Sequence, residues 1–307
     1  MAVLRGMWGC SRKKLVKTYL EAIPMKKDID DFCHQYKTWM QSHSLLPQRK
    51  PTRVPLLQIS EIMTIILLFH RSPAKNFKFF YFSYLQLYQE EFPHLPSYNR
   101  FIELQQHCLG HFHALMTIMC ELCQQTGLSF MDATCLPVCH NKRTSRHKVF
   151  RGYAALGKST MGWFFGLKLH LIINERGEIL QALVTPGNVD DRKPVRRMTR
   201  KLMGLIFADK GYIDHKLFQD LYARGLKLVT GIKKNMKNKL LPLREKMLLR
   251  KRSIIETVNS VIKKDFQICH TRHRSIINAF IHIFSTLVAY SLKNKKPTIK
   301  FENLIPN

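Results

Sequence analysis

The chain has 307 residues, room for a catalytic domain with a smaller companion, and carries 50 Lys and Arg against 21 Asp and Glu, a formal charge of +29. That balance excludes a polycationic partner and favours a polyanion, because neutralised phosphates release counterions and make affinity salt-sensitive. The excess is uneven, with 27 Lys and Arg and 7 Asp and Glu in residues 191–300, and low-complexity tracts and fixed-period repeats are absent, which excludes a long disordered linker or a solenoid.

The opening stretch MAVLRGMWGCSRKK lacks an unbroken apolar run followed by a small-residue cleavage site, so it does not read as a secretory signal and a cytoplasmic protein is expected. Residues 1–125 are expected to form a helical domain. Apolar positions recur at helical spacing in Ile62, Ile65, Ile66 and Phe69, and again in Phe79, Phe82, Leu85 and Leu87, with breaks at Pro51, Pro55, Pro73, Pro93 and Pro96. Ser97 is placed to cap a short helix through Phe101 and Leu104. A helix-turn-helix and a plain helical packing domain both fit this segment, since Arg100 is the only Lys or Arg between Lys78 and Lys142.

The apolar runs at 62–69 and 277–292 are too short or too polar to span a bilayer and are expected to be buried helices; no membrane partner is expected. Eight cysteines without an export signal read as reduced thiols. Cys120 and Cys123, followed by Cys135, Cys139 and His140, imitate a zinc ligand series. However, the second pair flanks the apolar end of an expected strand and the first shares a helical face with Leu115 and Met116, so buried thiols are expected.

From residue 128 the rhythm changes to strands. Five are expected, at 128–138, 163–174, 178–186, 205–212 and 226–232, with a hairpin turn at 174–178 and helices at about 192–203 and 215–224. This order, a three-stranded antiparallel meander followed by strand, helix and strand, predicts an α/β fold with a mixed sheet flanked by helices. The domain boundaries expected are 1–125, 126–295 and a tail at 296–307.

Three acids stand out against the basic background. Asp132 lies within the first strand on the face of Phe130 and Thr134, and Asp209 ends the fourth strand before Lys210 and Gly211. Glu256 opens a polar row with Asn259, Ser260 and Lys263 on a helix. Burying such a charge is costly unless it is paired or metal-bound. Paired carboxylates that hold divalent ions beside a polyanion can activate water and neutralise a leaving oxygen, which points to phosphoryl transfer on nucleic acid. Asp190 and Asp191 compete for the second place, because their turn also follows a strand. Lys142, Arg143, Arg146, Lys148 and Arg151 form a basic stretch after the first strand, suited to phosphate contact, as are the lysines around Asn235 and Asn238 and the run Arg250 to Arg252. His170, on an alternating strand, reads as a satisfied sheet residue.

The segments MDATCLPVCHNKR, FFGLKLHLIIN, TPGNVDDRKP, ADKGY and RKRSIIETVNSVIKK resemble the successive motifs of DDE transposases of bacterial insertion sequences, and LPSYNRF resembles that group's N-terminal helical region. The similarity covers residues 55–292 and is strongest over 128–265. It implies an RNase H-like catalytic domain with a mixed five-stranded sheet, preceded by an all-helical domain. It also implies Asp132, Asp209 and Glu256 as catalytic metal ligands, Mg²⁺ or Mn²⁺ as cofactor, and cleavage of element ends with joining to target DNA. The partners implied are double-stranded DNA and a second copy of the chain, in a nucleoid-associated setting.

The wider group's signature of tyrosine, arginine, glutamate and lysine is matched in spacing by Arg252, Glu256 and Lys263, whereas Leu249 stands where the tyrosine would be. Arg252, Lys263 and Lys210 join the expected DNA contacts. Two other readings fit the same residues: a transposase-derived DNA-binding protein without catalysis, and an RNase H-like nuclease of RNA or junctions.

Overall fold

The computed structural model describes residues 22–43, 55–160, 162–232, 241–269 and 273–299. The chain divides into two compact units, residues 1–116 with 275–290 and residues 117–274 with 291–307.

Every regular element described in the first unit is helical. The longer ones are α1 (Ala22–His43), α2 (Ile59–Arg71), α3 (Tyr98–Leu104), the first part of α4 (Leu109–Leu122) and most of the helix Ile276–Ser291. Residues 62–70 of α2 are all buried, as befits a helix that is apolar on all sides and enclosed by others. Ser97 Oγ accepts from the Arg100 amide at 3.4 Å, the cap expected for α3.

Two expectations for this unit are corrected. The helix Ile276–Ser291 was assigned to the second domain but packs with the N-terminal helices. Its Ser285 hydroxyl lies 2.8 Å from His70 Nε2 on α2, and the His282 ring lies 5.0 Å from that of His70. Phe79, Phe82 and Leu87 were expected on a buried row and are exposed, while Phe80, Tyr81, Tyr84, Leu85 and Tyr88 are buried. The physical reason is a change of winding. An α turn at Phe77–Phe79 gives way to a wider π turn at Phe80–Tyr84 and a tighter 3₁₀ turn at Leu85–Tyr88, so a 3.6-residue period does not hold.

The second unit is built on a mixed six-stranded sheet of β1 (Leu128–Cys139), β2 (Ala155–Ser159), β3 (Gly162–Ile173), β4 (Ile179–Pro186), β5 (Gly204–Ala208) and β6 (Leu226–Thr230). The order is β2-β3-β1-β5-β6, and β4 pairs with the part of β3 that β2 leaves free. β1 runs antiparallel to β3 and parallel to β5, and β5 is parallel to β6. The expected five strands are therefore six. β2 has no strand signal in the sequence, because ALGKS carries neither an apolar run nor a strict alternation, and its pairing with the first residues of β3 defines it.

The helix expected over 192–203 shrinks to Val195–Met198, with Pro194 at its start. Three further helices follow: α5 (His215–Tyr222), α6 (Leu243–Arg250) and α7 (Ser253–Lys264). The lysines around Asn235 and Asn238 lie outside the described residues. The expected tail is not free at its start, since the Ile299 amide donates to the Glu175 carbonyl at 2.9 Å.

Pleat alternation sorts the sheet into two buried faces. Met131, Ile172, Ile206 and Ala208 join Val195, Met198, Leu217 and Leu221 in one core. On the other face the rings of Phe130 and Phe207 stack 5.3 Å apart, and α7 packs on β1 with Ile255, Val258 and Ile262 buried. The described cysteines are free thiols, and among the described residues no helix is long and apolar enough to cross a membrane.

His170 is buried, with Nε2 2.8 Å from Thr185 Oγ1, and desolvation pushes its imidazole down from 6.5 to about 4. The unfolded chain binds this proton below pH 6.5 while the folded site resists it, so stability should fall as pH drops from about 6.5 to about 4, by at most about 3 kcal/mol from this residue. Urea midpoints measured across that range should decline less steeply for His170→Gln than for the parent, and an unchanged acid limb would refute the assignment.

Candidate active site

Three elements bring the three acids into one neighbourhood. β1 and β5 pair in parallel with Phe130 opposite Phe207, so Asp132 and Asp209, two residues on, leave the sheet on the face that α7 covers. α7 places its apolar residues against the sheet and turns Arg252, Glu256, Asn259 and Lys263 along its adjoining edge.

Arg252 is the hub. Its Nη2 donates to Glu256 Oε1 at 2.9 Å and lies 3.7 Å from Asp209 Oδ1. Asp209 and Glu256 are mostly exposed, whereas Asp132 is largely buried and accepts from Asn259 Nδ2 at 3.1 Å. Desolvation pushes the Asp132 carboxyl up from 3.8 to about 6. A hydrogen bond from the Ala133 backbone and the charge of Arg252 pull the other way, and the charges of Glu256 and Asp209 add to the rise.

Two buried polar atoms beside these acids have no protein partner: Asn259 Oδ1 and the Tyr212 hydroxyl. Burial raises the Tyr212 phenol, and the charges of Asp191, Asp132 and Asp209 raise it further. An unpartnered buried acceptor or hydroxyl costs stability, and such groups in natural folds call for an explanation.

The donor chemistry suits a hard divalent cation, since carboxylate oxygens, an amide oxygen and water are what Mg²⁺ and Mn²⁺ take. The orphaned Asn259 Oδ1 and the mutual repulsion felt by Asp132 fit the same kind of ligand. Among the described residues, however, no three His, Cys, Asp or Glu side chains converge closely enough to hold an ion as they stand. Arg252 supplies the neutralising charge in their place.

The remaining expected residues fall into separate places. Lys210 is exposed next to Asp209, with its stem close to Gly231. Lys263 is half-buried on α7, and its charge reaches the Cys135 thiol. Lys142, Arg143, Arg146, Lys148 and Arg151 are all exposed, but they follow the far end of β1. Seven residues separate Asp132 from Cys139, about 23 Å of extended strand.

Asp190 and Asp191, the rivals for the second carboxylate, are engaged otherwise. Asp190 takes a bidentate contact from Arg192, at 2.9 Å and 2.6 Å, which holds its carboxyl well below the usual range, and Asp191 pairs with Lys168 at 2.9 Å. Two residues of the cluster carry no signal in the sequence that marks their part in it. Asn259 stood in the polar row of α7 without its bond to Asp132, and Tyr212 stood in the ADKGY motif with nothing in the sequence to mark its hydroxyl as buried.

The transposase DDE domain family matches residues 122–276, half of the chain, and the chain belongs to that family. No curated protein and no solved structure matches it.

Because the folded site holds the Asp132 proton more tightly than the unfolded chain, ionising it between pH 3.8 and about 6 weakens the fold. Replacing it by a neutral isostere should therefore stabilise the apoprotein at alkaline pH, by on the order of 2 kcal/mol, or about 5 °C in melting temperature. Thermal melts of Asp132→Asn in EDTA should show that gain at pH 8 and lose most of it near pH 4. A variant that is destabilised at both values would place Asp132 among ordinary structural residues.

Proposed function

We propose that the chain is a DNA transposase with an RNase H-like catalytic domain, in which Asp132, Asp209 and Glu256 are the metal-binding acids. Its reactions are hydrolysis of phosphodiesters at element ends and transesterification, in which the freed 3′ hydroxyl attacks a target phosphodiester and the target's own 3′ oxygen leaves. The order of strands, an antiparallel trio joined to two parallel strands, supports the fold reading. Divalent ions such as Mg²⁺ or Mn²⁺, held by these acids, supply Lewis acidity toward the phosphate and a lowered pKa for water.

One observation carries the reading: α7 reaches two strands at once. Arg252 contacts both Glu256 and Asp209, while Asn259, one turn from Glu256, holds Asp132. Acids far apart in the chain share one electrostatic site beside an apolar core, in a protein of charge +29. In this reading Asn259 orients the Asp132 carboxylate, and Arg252 swings from the acids to the backbone of the scissile end. Lys263 and Lys210 add phosphate contacts nearby, and Lys142, Arg143, Arg146, Lys148 and Arg151 hold DNA farther along. Joining two ends to one target calls for two active sites, hence a homodimer on DNA.

A DNA-binding protein without catalysis is the second reading, favoured by the pairing of Arg252 with the acids that the first reading assigns to metal. Cleavage of end-containing DNA in Mg²⁺, against an EDTA control, separates the two. Under the first reading Asp132→Asn lowers cutting by more than about 100-fold, beyond what loss of an outer-shell partner costs, and leaves salt-sensitive DNA affinity within about threefold. Cutting that survives the substitution undiminished would remove Asp132 from the reaction, and a parent protein that binds DNA yet never cuts it would favour the second reading.

A further inference from the structure

The β2–β3 hairpin is sealed on one side and open on the other. On the sealed side Phe164 is buried, and a Cβ added to Gly157 would stand 2.2 Å from the Gly187 carbonyl oxygen and 2.9 Å from the Phe164 ring. The register pairs Lys158 with Trp163 and Leu156 with Phe165 on the other side, where Trp163 is 58% and Leu156 48% exposed. Two large apolar side chains thus stand exposed on one face of the hairpin.

Their surroundings are cationic. The Lys158 ammonium stands 5.8 Å from the centroid of the Trp163 ring. The basic loop is tied to the same strand end, since Asn141 Nδ2 donates to the Trp163 carbonyl at 2.6 Å and the His147 ring lies 6.1 Å from that of Phe165. From residue 133 to 174 the chain has seven Lys and Arg and no acid at all.

An exposed aromatic ring among cations that make no ion pair with the described residues complements a nucleotide, whose base stacks on the ring while its phosphate meets the cations. A fully paired duplex hides its base faces, so the ring selects a base that is not paired. We propose that Trp163, with Lys158 beside it, is a stacking platform for an unpaired base of the bound DNA. Odd-numbered residues of β3 share one face, and Leu171 lies opposite Asp132, so the ring faces the same side of the sheet as the candidate active site. It stands eight residues up the strand from Leu171, about 27 Å away, so it is a binding contact remote from the reacting phosphate.

This inference rests on the DNA-processing reading, and the test keeps the two apart. Fluorescence anisotropy at one fixed salt concentration would compare a blunt duplex with the same duplex bearing a single-stranded extension. The parent should prefer the extended DNA, and Trp163→Ala should remove about tenfold of its affinity for that probe while changing the blunt duplex little. Trp163→Phe, which keeps a ring, should recover most of the loss. Equal affinities for both probes in parent and Trp163→Ala alike would overturn the platform while leaving the transposase reading intact. Failure of the parent to bind either probe would sink both.

Should Trp163→Ala change the oligomeric mass and leave the probe preference alone, the face serves self-association and the inference is wrong. Where the alanine variant does not fold, ultraviolet cross-linking of the parent to 5-iododeoxyuridine in the extension decides. Attachment at Trp163 supports the platform, and attachment elsewhere overturns it.

Discussion

A half-buried carboxyl beside a helix sets the terms for the second unit. Asp132 sits where β1 is packed on both faces, and its charge is tolerated there because Asn259 donates to it and Arg252 lies near. Apolar residues at 255, 258 and 262 seat α7 on the sheet, and the polar residues at 252, 256, 259 and 263 follow from the same helical repeat. The contact that stabilises the unit is thus also the one that assembles the acids. A helix rotated by one residue would lose both.

The arrangement has an energetic signature common to functional sites. Asp132 is held above its ordinary range, and Asn259 and Tyr212 each leave one buried polar atom without a partner. A sequence selected for stability alone would place an apolar or neutral residue at 132 and would satisfy or remove those groups. His170, on the opposite face of the same sheet, offers the contrast: it is more deeply enclosed, but its ring is neutral and bonded to Thr185, and it adds no charge to the interior.

Much of this was legible in the sequence because burial on two faces leaves long apolar runs. β1, β3, β4 and β6 lie within two residues of where those runs predict, β5 stops at Ala208 short of the expected 212, and the three acids stand out against a chain of 50 Lys and Arg. What the sequence hid was set by pairing and winding. β2 exists through its hydrogen bonds to β3, the buried face of residues 77–88 follows from a change of helical pitch, and the helix Ile276–Ser291 finds α2 through a His–Ser contact between residues more than 200 positions apart. Arg252 as the hub of the acid cluster was hidden for a related reason, since spacing places it one turn from Glu256 but says nothing of Asp209.

β1 and β3 give the second unit its length, and that length separates two kinds of chemistry. Near one end of the ladder a few charges are held close together beside a helix, and Asp132, the least exposed of the three acids, feels its neighbours most. Near the other end many cations stand in water, each worth little alone, and their sum is sensitive to salt. Under the proposed function, a polyanion that lies along the ladder would be gripped at the second and acted on at the first. The grip tolerates sequence change because it sums over many similar contacts, whereas the cluster around Asp132 depends on each of its members, so substitutions in the two regions should differ in kind as well as in size.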